Sequence, residues 1–137
     1  MFTYAEDPTK FSADRVRRST AIDLNDRIDR VTESNIQRYA NSNHSTILKR
    51  IEELDKEWDV ERVLEVNAST LALTGLALSL TVNKKWLALP AVVMGFLFQH
   101  GVQGWCPPLP ILRRLGIRTR SEIDREKYAL KDLMARR

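Results

Sequence analysis

The sequence predicts an all-α chain, a transmembrane helical hairpin flanked by amphipathic cytoplasmic helices. Three observations predict it. Two charge-free runs, Val66–Asn83 and Trp86–Leu112, are split only by Lys84 and Lys85, and no other part of the chain is free of charge for as long. At about 1.5 Å per helical residue the first run reaches ~27 Å, close to the ~30 Å of a hydrocarbon core. In the second run Trp86 and Trp105 stand ~28 Å apart along a helix, so one indole falls at each membrane–water boundary, where such rings prefer to sit. Third, charge is segregated: net −3 over residues 1–65, +2 over 66–105 and +5 over 106–137, within a total of +4. The basic excess directly after the second run reads as a cytoplasmic flank near anionic lipid. No nucleic-acid-binding motif accompanies it, so nucleic acid is not expected as a partner.

Three parts follow: 1–65, an N-terminal arm and amphipathic helices; 66–112, the hairpin; and 113–137, a basic cytoplasmic helix. The stretch Met1–Lys10 carries acids, a proline and no apolar core, which is not the pattern of a secretory signal. If the chain enters a membrane, the hairpin itself is the signal. Met1–Phe11 reads as an arm that Phe2 and Tyr4 could pin to a partner.

From about Ser12 to Ala40 a charged helix is expected, with Leu24, Ile28 and Val31 as one narrow apolar stripe. Asn41–Ser45 reads as a loop, because Asn and Ser side chains compete for the backbone. Ser45 or Thr46 would cap the next helix. Its Ile47, Ile51, Leu54 and Trp58 repeat at heptad spacing. Asp59 would cap a further helix that enters the first apolar run, continuous with or gently kinked from the one before.

The first run holds Asn67, Ser69, Thr70, Thr74, Ser79 and Thr81, which a membrane helix tolerates because hydroxyls bond back to the backbone. The alternative is a buried hairpin in a soluble helical bundle. Ala68, Ala72, Gly75 and Ser79 form a ridge of small residues that allows close helix packing. Ala91 and Gly95 form a matching pair in the second helix, and the two sets are expected to meet each other or a second copy. Pro90 sits near the start of that helix, where a missing N–H is harmless. Gly101 and Gly104 bracket its end. Cys106-Pro107-Pro108-Leu109-Pro110 cannot continue it, and a short amphipathic turn follows, stopped by Gly116. Ser121 with Asp124 resembles a capping box for a last helix over about Glu122–Met134, with Ile123, Ala129 or Leu130, and Leu133 inward.

Thr74-Gly75-Leu76, Asn83 with Trp86, and Gly104-Trp105-Cys106-Pro107 leading into Leu112-Arg113-Arg114-Leu115-Gly116 and Thr119 resemble a bacterial family of small two-helix inner-membrane domains, the YgaP-like family. The resemblance covers Asn67–Thr119. It implies a helical hairpin in the bacterial inner membrane, both ends cytoplasmic, paired as a homodimer. Some members carry a sulfur-transferring rhodanese domain. This chain lacks it: residues 1–65 show neither βα alternation nor the active-site cysteine.

Candidate chemistry is sparse. One cysteine and two histidines make no metal cluster, and no phosphate-cradling loop or nucleophile motif occurs, so neither catalytic residues, a metal nor a cofactor is expected. Cys106 with His100 is the one pair that could do covalent chemistry, although Cys106 follows a helix C-terminus, where the dipole disfavours a thiolate. Trp86, Trp105, Arg113 and Arg114 are assigned to the membrane interface. More Lys and Arg flank the terminal side than the tip, so both termini are expected in the cytoplasm. The expected partners are the lipid bilayer and either a second copy or a larger membrane-protein complex. The expected role is an anchor, scaffold or accessory subunit acting through helix pairing. The alternatives are a dimeric hairpin in small-anion or sulfur-species transport, with His100, Gln99 and Gln103 along the path, or a relay at Cys106.

Overall fold

Polar side chains that cap and interrupt helices divide the first half of the chain into short pieces. The computed structural model describes residues 14–137; the expected arm with Phe2 and Tyr4, and the helix start near Ser12, lie outside the described residues. All regular structure among the described residues is helical. Helix α1, Arg15–Arg18, is capped by Asp14, whose carboxylate accepts the Arg17 N–H at 3.1 Å. The single helix expected to Ala40 breaks after it. Thr20 Oγ1 donates back to the Val16 carbonyl at 2.6 Å and Asn25 Nδ2 to that of Arg17 at 2.8 Å, so side chains take up groups a continuous helix would use.

Helix α2, Ile22–Tyr39, buries Ile28 and Thr32, whereas Val31 is 52% exposed. Of the expected Leu24–Ile28–Val31 stripe, Ile28 is buried and Leu24 half-buried, but Thr32 takes the inward place expected of Val31. Polarity explains the difference: Thr32 accepts a hydrogen bond from a buried arginine, Arg118, so this face is selected by ion pairing as well as by oil.

Helix α3, His44–Lys56, starts two or three residues earlier than a cap at Ser45 or Thr46 would place it, because Asn43 supplies the cap and accepts the Thr46 N–H at 2.9 Å. Ile47, Ile51 and Leu54 are buried as the heptad spacing predicts. Trp58 does not extend that seam. It lies beyond the helix end, under the Arg62 guanidinium, 4.4 Å from the ring centroid. The backbone turns extended at Glu57, and Asp59 caps α4, Val60–Thr81, by accepting the Arg62 N–H at 2.8 Å. Two separate helices thus replace the expected continuous one.

A 3₁₀ turn, Lys84–Leu87, capped by Asn83, joins α4 to α5, Ala88–Gln103, and the two long helices pack as an antiparallel hairpin. The small-residue ridge is the face of α4 that packs. Ala72 and Gly75 are buried, Ala68 and Ser79 half-buried. A Cβ on Gly75 would stand 2.5 Å from Pro90 Cδ and 3.1 Å from Leu89 Cβ. The partner surface is therefore Leu89–Pro90 and not the Ala91–Gly95 pair. Ala91 is exposed, and a Cβ on Gly95 would meet nothing within 4 Å. Gly75→Ala is expected to loosen the hairpin by about 1–3 kcal/mol, the usual cost of overpacking. Gly95→Ala should hold or raise stability, since Ala is the better helix former by up to ~1 kcal/mol. Thermal melting of the two variants in detergent checks this; equal losses would place both glycines in the same packed contact.

Helix α5 ends at Gly104 in the left-handed region (φ 77°), as its position predicts. A Cβ there would collide with Arg15, which shows how closely α1 passes the end of the hairpin. Helix α6, Leu109–Arg114, is followed by Gly116 (φ 82°). Helix α7, Arg120–Ala135, begins with a full capping box made by Thr119 and Glu122, two residues before the Ser121–Asp124 pair read from the sequence.

Two apolar clusters hold the pieces together. Val16, Val60, Leu64, Cys106 and Leu109 fasten the base of the hairpin to α1 and α6. Ile47, Ile51 and Leu54 meet Ile123 and Leu130, fastening α3 to α7. The result is a small helical base from which α4 and α5 project.

Candidate functional site: an apolar hairpin on an ion-paired base

Two helical stretches, His44–Thr81 and Lys84–Gln103, contain windows long and apolar enough to cross a membrane by length and composition, and only 17% and 6% of those windows is buried. Away from the face where α4 and α5 pack, the apolar side chains face outward. Leu73 is 66% exposed, Leu80 88%, Phe98 74% and Val102 60%. Side chains of α4 are satisfied locally: Ser69, Thr70, Thr74 and Thr81 each donate a hydroxyl to the carbonyl four residues back, at 2.6–2.8 Å, and Asn67 donates its amide Nδ2 to the Val63 carbonyl at 2.9 Å. A helix surrounded by hydrocarbon needs this internal arrangement.

The interface residues separate into two groups. Trp86 and Trp105 are partly exposed at opposite ends of the α5 segment, and Lys84 and Lys85 are exposed at the tip. Arg114 is exposed beside the base. Arg113, assigned to the same interface, is instead fully buried within the helical base. Its guanidinium donates to both oxygens of Glu122 at 2.6 and 2.8 Å, to Asn25 Oδ1 at 2.9 Å and to the Ile117 carbonyl at 3.0 Å. A buried charge is held by a fixed partner because desolvation costs too much otherwise.

That pair belongs to a wider network. Arg17 bridges Glu122, at 2.6 Å, and Asp29. One turn on, fully buried Glu126 accepts from Arg118 at 2.5 Å and from Arg50 at 2.9 Å, while Arg118 also grips Glu57 at 2.5 Å. The network therefore joins α1, α2, α3, α6 and α7. Glu122 and Glu126 of the last helix are thus buried, whereas Asp132 of the same helix is exposed. A usable signal was present: Thr119-x-x-Glu122 is a capping-box pattern, and Glu122 and Glu126 sit four apart on the same face as Ile123 and Leu130.

Burial pushes the Glu122 carboxyl up, but the hydrogen bonds and charge of Arg113, the Thr119 N–H and the charge of Arg17 pull it below the ordinary value of 4.5. Burial acts the same way on Glu126, and Arg50 and Arg118 likewise lower it overall. A folded-state value below the unfolded one stabilises the fold at pH values above the ordinary Glu range. That stabilisation is lost as pH falls from about 4.5 through the depressed values. The melting temperature of the base should thus drop on acidification below that range and stay flat just above it. A melting temperature that rises on acidification would contradict the network.

His100 and Cys106 are both buried and line one cavity of about 280 Å³ between α4, α5 and the Pro107–Pro108 segment. The ring does not bond the thiol: His100 Nε2 lies 3.0 Å from both carboxylate oxygens of Glu61. Gln99 donates to Gln103 at 3.3 Å, one turn apart on the same helix, and this pair is separate from His100 and its carboxylate. Among the described residues no group of three His, Cys, Asp or Glu side chains could hold a metal ion.

The chain matches no protein-family model, and no curated protein or solved structure is similar enough to match. The class defined by fold and site is an all-helical chain with an exposed apolar hairpin on an ion-paired helical base.

Proposed function

We propose that this is a small integral protein of the bacterial inner membrane, of the YgaP-like two-helix type, in which α4 and α5 anchor the chain. The remaining helices form a cytoplasmic base that serves as a scaffold or accessory subunit. One observation carries this reading: the two most apolar helical windows are 83% and 94% unburied in the chain by itself, where the core helix of a soluble protein is mostly buried. The start of α4 and the end of α5 both meet the base, so a spanning hairpin would keep both termini on one side; the basic residues of that side favour the cytoplasm. The open Ala91–Gly95 face supports pairing with a second copy or a larger membrane complex.

Fractionation with carbonate and high-salt washes, followed by crosslinking, tests the reading. Retention in the washed membrane with a specific crosslinked neighbour is the expected result. Release into solution would favour a soluble bundle whose hairpin is covered by other chains. A second reading, a sulfur relay at Cys106, draws on the cavity that Cys106 shares with His100. Full function of Cys106→Ser would remove it.

A further inference from the structure

Most of the positive charge of the basic tail is spent inside the protein. Arg113, Arg118, Arg120, Arg125, Lys127 and Arg136 are each paired with a carboxylate. Lys131 lies over the Tyr128 ring, and Arg137 donates to the Ala40 and Ser42 carbonyls. That leaves Arg114. Two further arginines come from the N-terminal part, which is acidic overall. Helix α1 lies against the end of the hairpin: a Cβ on Gly104 would stand 2.4 Å from Arg15 Cβ, and Ser19 Oγ donates to the Gln103 carbonyl at 3.2 Å. Arg15 and Arg18, three residues apart and so on one face of α1, are thereby held next to the chain at Trp105. Arg114 approaches from α6, lining one cleft with Ser19 and Thr20. All three arginines are exposed, and none pairs with a carboxylate of the described residues. The acids that share a cleft with Arg15 are engaged elsewhere: Asp14 accepts from the Arg17 N–H and the Ser121 hydroxyl, and Glu61 is held by His100. Exposed Asp23 and Asp26, on α2, pair with none of the three.

We propose that Arg15, Arg18 and Arg114 form a collar at the foot of the hairpin that binds the phosphate groups of anionic lipids. A guanidinium fork matches two phosphate oxygens, and an unpaired one gives up no internal ion pair to do so. The occupant is a lipid and not a free anion, because the collar adjoins the last turns of α5, where Phe98 and Val102 are 74% and 60% exposed. A phosphate held at the collar sets its acyl chains against that surface, with the Trp105 indole at the boundary between them. The lipid contact is thus made mainly by α1, a part of the chain with no net positive charge, and not by the basic tail. The collar rests on the membrane reading, since it needs head groups at the level of Trp105.

The test uses the full chain with Trp58→Phe and Trp86→Phe, so that Trp105 alone fluoresces. The chain is reconstituted into liposomes of phosphatidylcholine and phosphatidylglycerol in equal parts, with the acyl chains of one lipid or the other brominated. Bromine quenches the indoles it touches, so the two quenching levels give the lipid composition beside Trp105. The expected result is a preference for phosphatidylglycerol of at least ~5-fold, the contribution of one arginine at an anionic surface. The preference should vanish as the screening length falls from about 30 Å at 0.01 M salt to about 3 Å at 1 M. Arg15→Gln with Arg18→Gln should remove most of it, while Lys131→Gln with Arg136→Gln leaves it unchanged. Equal quenching by the two lipids at low salt would overturn the collar and leave the membrane reading standing. A preference that survives the loss of Arg15 and Arg18, or that persists at 1 M salt, would overturn it too; the salt series needs no variant of the collar to fold. Quenching by neither lipid would remove the membrane reading and the collar with it.

Discussion

Glu122→Ala should unfold the base at neutral pH or lower its stability by about 3–5 kcal/mol, the cost of leaving a buried charge without its partner. The stranded charge is Arg113, which is fully buried and would keep only Asn25 and the Ile117 carbonyl as acceptors. The same substitution removes half of the capping box of α7, a further ~1 kcal/mol, and takes the Glu122 carboxylate from Arg17, which keeps Asp29. Urea unfolding followed by circular dichroism measures the change. The double variant Glu122→Leu with Arg113→Met should recover much of the loss, because replacing a buried pair by apolar groups of similar volume is often neutral. A single variant as stable as the parent would mean that the pair is solvated and the base is held by its two apolar clusters alone.

With α4 and α5 spanning a bilayer, as proposed above, Leu73→Arg should expel the hairpin from it. Leu73 is 66% exposed and lies near the centre of the charge-free part of α4. Moving from Leu to Arg at a helix centre costs about 3 kcal/mol of insertion free energy. At an exposed site of a soluble protein the same change costs within ~0.5 kcal/mol. The two settings therefore differ by a factor of roughly a hundred in the insertion equilibrium. The share of the variant in the washed membrane fraction separates them, with Arg at exposed Lys84 as a neutral control.

The helical class and most element boundaries were legible because they depend on local chemistry. Asp59 as a cap, Gly104 and Gly116 as stops, and the inward seam of Ile47, Ile51 and Leu54 all follow from residue type and spacing. The ridge on α4 was legible for the same reason: small residues on one face invite close approach. Its partner was not, since Ala91–Gly95 obeys the same spacing as a packed pair, while the turn geometry at Lys84–Leu87 presents Leu89 and Pro90 instead. The break between α1 and α2 depends on Thr20 and Asn25 reaching particular carbonyls, which composition does not reveal.

The ion-pair network was the largest omission. Arg113 and Glu122 are near in sequence, but Arg17, Asn25 and Asp29 reach them only after the chain has doubled back. In sequence a buried arginine looks the same as one lying against lipid head groups. Only the meeting of helices distant in sequence separates Arg113 from Arg114.

The most direct test of the membrane account is the depth of α5. A spin label at Met94→Cys, in a Cys106→Ser background and reconstituted into liposomes, would report collisions with oxygen and with a water-soluble nickel complex. The account predicts access to oxygen and exclusion of nickel at position 94, with the reverse for a label at Lys84→Cys. Equal access of nickel to both positions would contradict it, since the exposed apolar face of α5 would then be meeting water.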